Sequence, residues 1–154
     1  MNLQQQRTIL FICTANAIRS QMAEAFVNYH NNGLRAYSAG IRPTRAIDKN
    51  VVKVMQEIGI DVSSQTVNSL EDYKNQPIDF AITLGSTAYQ ECPEWLYQNS
   101  LTDHWGFQDV SGRSKSSYRK LRDNIKLLID QFLSEYSENL SDEELKELLK
   151  KHRI

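Results

Sequence analysis

The stretch that decides the fold is Thr8-Ile-Leu-Phe-Ile-Cys13-Thr-Ala-Asn-Ala-Ile-Arg19-Ser20-Gln-Met-Ala-Glu24. Thr8 to Cys13 is a short apolar run, the pattern of a strand covered on both faces in a parallel sheet. From Ser20 the pattern turns helical, with Met22, Ala25, Phe26 and Tyr29 on one face and Ser20 as the natural N-cap. The five residues between Cys13 and Arg19 allow only a tight loop from strand end to helix N-terminus. In such a loop the backbone N–H groups of Thr14, Ala15, Asn16, Ala17, Ile18, Arg19 and Ser20 form a nest for a tetrahedral oxyanion.

A cysteine at the entrance of this nest shares its positive field, which favours the nucleophilic thiolate. Arg19, at the far end, offers a planar fork to two oxygens of the anion, whose charge redistributes in the transition state. The Ser20 hydroxyl can turn toward the Cys13 sulfur. Asn16 tolerates left-handed backbone better than most residues, and its amide can brace the loop. Cys13 and Arg19 are therefore the candidate nucleophile and anion clamp, with Asn16 and Ser20 as supports.

Outward from the loop, strands and helices alternate, the pattern of an α/β sheet with helices on both faces. Leu34 to Ser38 reads as a second strand, Ile78 to Leu84 as a third and Ser100 to Trp105 as a weaker fourth. Asp48 opens a helix that aligns Ile47, Val51, Met55 and Ile58 and ends at Gly59. Ser69 to Asn75 reads as a short helix before Pro77. A long helix over Ser116 to Tyr136 turns Leu121, Ile125, Leu128, Ile129 and Phe132 to one side. Beyond it, Ser141 and Glu144 make a capping box ahead of Leu145, Leu148 and Leu149, which predicts one more helix.

The chain has 154 residues with 18 basic and 19 acidic side chains, enough for one domain and one core. A net charge of −1 sets up no long-range field for nucleic acid or an anionic membrane. Arg7, Ile9 to Cys13, Ala15 and Ala17 only faintly imitate a secretory leader, because the apolar run is too short. No run approaches the length of a membrane span. Two cysteines then read as free thiols in a reducing cytoplasm. The predicted organisation is a flexible tail over residues 1–6, a catalytic domain over 7–136 and a helical extension over 137–154. No metal site is predicted, and the chain is expected to act as a monomer or weak dimer.

The run Cys13 to Ala25 resembles the low-molecular-weight protein tyrosine phosphatase superfamily, particularly its thiol-coupled arsenate reductase branch. Tyr37-Ser-Ala-Gly40 extends the likeness, as does the region from Ala81-Ile-Thr-Leu-Gly85 through Glu91-Cys92-Pro93 to His104-Trp-Gly-Phe-Gln-Asp109. The resemblance spans about residues 7 to 135 and implies three layers, a central four-stranded parallel sheet between helices, with the C-terminal helix as an addition. It places Glu24 and Ser38 under the loop as hydrogen-bonding supports, where a monovalent cation would also fit.

Attack on a tetrahedral centre needs a proton for the departing oxygen. The resemblance assigns that task to Asp109, although the family's usual Asp-Pro is Asp109-Val110 here. His104 is given a structural role only. Ala15 stands where the family usually has glycine; it is strained only if that position requires positive φ. Thioredoxin-coupled relatives carry two further cysteines; this chain keeps Cys92 but has Gly85 at the other position, so a complete internal thiol relay is absent.

The reading favoured by these residues is arsenate reductase: Cys13 forms a cysteinyl-arsenate, resolved either by Cys92 or by an external thiol. The implied co-substrate is thioredoxin, glutathione or mycothiol, with thioredoxin or glutaredoxin as partner. One alternative is a phosphatase that hydrolyses phosphomonoesters through a cysteinyl-phosphate. The other is a non-catalytic oxyanion-binding regulatory protein. Ile41-Arg-Pro-Thr offers no aromatic wall for a phenol, which weighs against tyrosine phosphate.

Overall fold

Ile9, Leu10, Phe11 and Ile12 are all completely buried, as consecutive residues of a strand must be when both sheet faces are covered. A computed structural model describes residues 6–30 and 33–153; the tail predicted over residues 1–6 lies outside it except for Gln6. Within it run β1 (Arg7–Cys13), α1 (Arg19–His30), β2 (Leu34–Gly40), α2 (Lys49–Gln56), a 3₁₀ turn (Leu70–Tyr73), β3 (Phe80–Thr83), α3 (Ser86–Glu91), α4 (Glu94–Asn99), β4 (Leu101–His104), α5 (Lys115–Glu135) and α6 (Asp142–Lys151).

The four strands are parallel in the order β2-β1-β3-β4. Alternation along β1 divides the core. Ile9 and Phe11 pack with residues of α1, α2, α5 and α6, whereas Leu10 and Ile12 pack with Leu70, Ala88 and Leu96 from the 3₁₀ turn, α3 and α4. The predicted three layers are the observed ones. Because the chain leaves β1 toward β2 and later returns to β3 on the other side, the loops after β1 and β3 diverge. The crevice between them, at the carboxyl ends of the strands, is where α/β sheets bind ligands.

Several local readings are corrected. Tyr29, assigned to the buried face of α1, is 65% exposed. In that last turn polar contacts take over: His30 meets Asp130 of α5 at 3.0 Å, and Tyr29 stands edge-on to His30. Ile58 is also outside its helix and 37% exposed. α2 stops at Gln56 because Gly59, at φ +81°, turns the chain so that Gly59 and Ile60 N–H return to Gln56 and Met55 carbonyls, which sends Ile60 inward. Ser69 to Asn75 is a single 3₁₀ turn, Leu70–Tyr73, closed by a Ser69–Asp72 capping box. Ser20 is not an N-cap but the second residue of α1. The sequence pattern predicts no helix over α3 and α4; each has six residues and one buried residue, Ala88 or Leu96, too little to show a period.

The C-terminal segment forms the helix its capping box predicts, with Ser141 and Glu144 each bonding the other's backbone N–H. Leu145, Leu148 and Leu149 are buried against the main core. Trp105 Nε1 donates to Leu149 O at 3.1 Å, and Arg153 clamps Asp103 of β4 through bonds of 2.7 and 3.1 Å. No helix among the described residues is long and apolar enough to cross a membrane.

Candidate active site

The loop after β1 is shaped from beneath. Asn16 is the one non-glycine residue with positive φ among the described residues, at +55°. Positive φ therefore falls on Asn16 and not on Ala15, so alanine is unstrained there. Asn16 is wholly buried and bonds in three directions. Its Nδ2 donates to Ser20 Oγ at 2.7 Å, its Oδ1 accepts from Asn68 N at 2.8 Å, and its carbonyl accepts from Gln21 Nε2 at 2.9 Å. Gly40, at the end of β2, lets the loop pass close: a Cβ there would lie 2.8 Å from Thr14 O and 3.0 Å from Asn16 N. The segment after β2 then ties down the loop's outer carbonyls, with Ile41, Arg42 and Thr44 N–H donating to Cys13, Thr14 and Ala15.

Cys13 is buried at the loop's entrance, with its Sγ 2.9 Å from Ser20 Oγ. Arg19 opens α1 and is 8% exposed; its Nη1 donates to Phe107 O at 3.1 Å. A cavity of about 480 Å³ is lined by Cys13, Thr14, Ala15, Ala17, Ile18 and Arg19, together with Asp48, Thr87, Asp109 and Ser111 from other segments. Six of the predicted residues thus meet there with Asp109. Asn16 and Ser20, predicted both to contact the anion and to brace the loop, do not line the cavity; they are fully buried, with Asn16 Nδ2 bonded to Ser20 Oγ and Ser20 Oγ beside Cys13 Sγ.

Asp109 is exposed, and its Oδ1 accepts from Ser111 N at 2.9 Å and Ser111 Oγ at 2.8 Å. Burial pushes its carboxyl up, but the Ser111 hydrogen bonds, with Arg19 and Arg113 near, outweigh that and hold it below the ordinary aspartate value. Ser38 Oγ donates to Glu24 Oε1 at 2.6 Å, and burial pushes Glu24 up to about 7 against that hydrogen bond and Arg35. Among the described residues no group of three or more His, Cys, Asp or Glu side chains is arranged to hold a metal ion.

Cys92 does not join Cys13. It follows α3, packs with the Leu10 and Ile12 face of the core, and lines a separate cavity of about 380 Å³ with Tyr89, Tyr97 and His104. Burial pushes its thiol up to about 11. An ion pair from Arg42 to Glu91, at 2.8 Å, ties the end of α3 to the segment after β2. The His104 ring sits at 2.7 Å from Thr83 Oγ1 and meets the Tyr89 ring, tilted by 41°, at 4.7 Å between centroids, contacts that join β3, β4 and α3.

Sequence reasoning missed Gly85, Phe107 and Asn68 as parts of this site. Their contacts are made by backbone or by an absent side chain, so residue type carried no signal.

Comparison with known proteins adds four observations. The family model for low molecular weight phosphotyrosine protein phosphatase matches residues 8–150. Arsenate reductase 1 of Staphylococcus epidermidis is 40% identical over 129 residues, 83% of this chain and 96% of the relative. Arsenate reductase of Staphylococcus aureus strain N315 is 38% identical over 128 residues, 82% and 96% of the two. Among solved structures, an arsenate reductase in the phosphate binding state superposes with a TM-score of 0.74 at 29% identity, covering 85% of this chain and 99% of the other.

Proposed function

The chain belongs to the low molecular weight phosphotyrosine protein phosphatase family, and from that premise we propose that it is an arsenate reductase acting in the cytoplasm with an external thiol. The observation that carries the reading is the convergence of Cys13, Arg19 and Asp109 on one cavity in a chain so similar to arsenate reductases.

The loop N–H groups and Arg19 hold arsenate beside Cys13. The Cys13 thiolate attacks arsenic and forms an S–As bond, and an arsenate hydroxyl leaves as water after taking a proton from Asp109. A thiolate RS⁻ then attacks the Cys13 sulfur. The S–As bond breaks with its electron pair going to arsenic, which departs as arsenite, and Cys13 is left as a mixed disulfide with RS. A second RSH releases Cys13 and RSSR. Overall one arsenate and two thiols give arsenite, one disulfide and water.

Cys92 is a poor candidate for RS⁻. Its thiol is protonated at neutral pH, it faces another cavity, and α3 with its Arg42–Glu91 tie would have to move to bring it within about 7 Å of Cys13. A small thiol such as glutathione or mycothiol enters the open cavity directly, with a glutaredoxin-like protein regenerating it. The phosphatase alternative shares the first step, but among the described residues no aromatic side chain lines the Cys13 cavity to grip a phenol.

The test is arsenite production from arsenate with glutathione, mycothiol or thioredoxin. Turnover with a small thiol that is abolished by Cys13→Ser and retained by Cys92→Ser is expected. Selective loss of a thioredoxin-driven rate in Cys92→Ser would assign the resolving step to Cys92. Phosphate binding with neither arsenite production under any thiol nor hydrolysis of p-nitrophenyl phosphate would leave only the anion-binding reading.

A further inference from the structure

From Gly106 to Ser114, in the connection between β4 and α5, Val110 alone is buried, at 5% exposure. Its neighbours Asp109, Ser111, Gly112 and Arg113 are all exposed. Val110 belongs to the main buried cluster, which also holds Ile18 of the oxyanion loop and Tyr118 of α5. Beyond Phe107 its side chain is the one apolar attachment of this segment before α5 begins.

The backbone is held differently on the two sides of Asp109. Two residues earlier, Phe107 N–H donates to Leu84 O at 2.9 Å and Phe107 O accepts from Arg19 Nη1 at 3.1 Å, bonds that reach β3 and the oxyanion loop. On the far side, Arg113 N–H donates to Val110 O at 2.9 Å and Gly112 has φ +75°, the pattern of a type II turn. That turn is local, and so are the bonds of Asp109 to Ser111. A polar attachment comes from Tyr118, whose hydroxyl donates to Asp48 Oδ2 at 2.7 Å and lies beside the Gly112 backbone. The apolar attachment next to the acid is Val110.

We infer that Val110 is a positioning residue for the general acid: its burial in the core keeps the Asp109 backbone at the Cys13 cavity while the carboxyl turns about its own side-chain bonds, from Ser111 to the departing oxygen. The inference rests on the reading of Asp109 as the acid. A proline at 110 would restrain the segment through its own fixed φ and by excluding helical backbone at the residue before it. Valine imposes neither restraint, and burial takes their place. The Val110 N–H has no acceptor among the described residues, so a proline there breaks no hydrogen bond.

The test compares the full chain with Val110→Ala, Asp109→Asn, the doubly substituted chain and Val110→Pro. Val110→Ala should lower the rate constant for arsenite formation about threefold or more, because two buried methyl groups shift the balance between seated and unseated segment by about tenfold. Phosphate, measured by calorimetry, should bind within about twofold of the parent, since Arg19 is held through Phe107. In the Asp109→Asn background the same change should cause no further loss, because the group it positions is gone. Val110→Pro should keep the parent's rate within about twofold. Trypsin cleavage after Arg113 reads the seat without turnover, and it should quicken about threefold or more in Val110→Ala. A full rate in Val110→Ala beside a loss in Asp109→Asn, an equal loss in both backgrounds, a Val110→Pro chain no faster than Val110→Ala, or unchanged cleavage overturns the inference. Full turnover in Asp109→Asn would instead remove the acid role on which it rests. If Val110→Ala melts far below the parent, Val110→Thr, which keeps the shape and puts a hydroxyl in the buried seat, is read by the same comparison.

Discussion

Ser20 Oγ lies 2.9 Å from Cys13 Sγ while accepting a 2.7 Å hydrogen bond from Asn16 Nδ2. With the amide hydrogen on one lone pair, the hydroxyl is oriented so that its own proton can point to sulfur, and toward a thiolate it must, since a thiolate only accepts. A hydrogen bond to a charged group is worth about 1.5–3 kcal/mol. Ser20→Ala should therefore slow alkylation of Cys13 by iodoacetamide at neutral pH by about tenfold or more, since that energy stabilises only the thiolate. Ser20→Thr, which keeps the hydroxyl, should recover part of the rate. An alkylation rate insensitive to both changes would mean that the serine only braces the loop.

Asp109 is held ionised in the free protein by its two bonds from Ser111, so it faces an arriving anion as a negative charge. To act as the acid it must leave Ser111 and take up a proton, a step favoured once the anion is bound beside it. Asp109→Asn removes both the proton donor and the repulsion. The rate constant for arsenite formation should fall about 100-fold or more, the usual worth of a general acid, while phosphate binds as tightly as before or tighter. Steady-state kinetics with phosphate as competitive inhibitor separates the two effects. A turnover unaffected by the change would strip Asp109 of the acid role.

The parts of the molecule legible in sequence are those where one segment carries its own pattern. Ile9 to Ile12, the loop and Met22 to Phe26 are contiguous, so strand, nest and helix could be read together, and the Ser141–Glu144 box announced α6 in the same way. The illegible parts depend on partners distant in the chain. α3 and α4 are helical because Ala88 and Leu96 dock on Leu10 and Ile12, not because six residues show a period. Gly85 could be seen as a missing thiol, but its contact with Arg19 exists only after β1 and β3 pair. The family resemblance makes Cys92 a candidate resolving thiol, and only the fold turns it toward a different cavity.

Glu24 gives the protein a pH-dependent stability whose sign is fixed by its raised value. Its carboxyl titrates near 7 when folded and near 4.5 as the ordinary reference. Between these values the folded state holds a proton that the unfolded state releases, so stability falls as pH rises from about 5 to 8. The upper bound of this loss is about 3 kcal/mol. Glu24→Gln, which can still accept the Ser38 hydroxyl, should lose less stability over the same interval. Urea unfolding at pH 5 and pH 8 measures both chains, and parallel changes in the two would show that Glu24 does not titrate in this range.

α6 is bound to the fold by packing and by one buried hydrogen bond, and the two can be tested apart. Leu149 is 1% exposed, and its carbonyl accepts from Trp105 Nε1 at 3.1 Å. Trp105 also packs edge-on to Phe132 at 5.2 Å, so α6, β4 and α5 meet at one aromatic side chain. Leu149→Ala should cost about 2–5 kcal/mol, the range for removing a buried leucine side chain, while leaving the backbone carbonyl and its bond in place. Trp105→Phe should cost about 0.5–1.5 kcal/mol through the lost hydrogen bond, beyond the lost volume, because Leu149 O still accepts from His152 N–H at 3.2 Å. Neither change should weaken phosphate binding by more than about twofold, because Phe107, which holds Arg19, is fixed to Leu84 by its own N–H rather than by α6. Denaturant unfolding and phosphate calorimetry on the same variants measure both quantities. A large loss of phosphate affinity in Leu149→Ala would mean that the C-terminal helix is part of the support for Arg19 and not only a cover for the core.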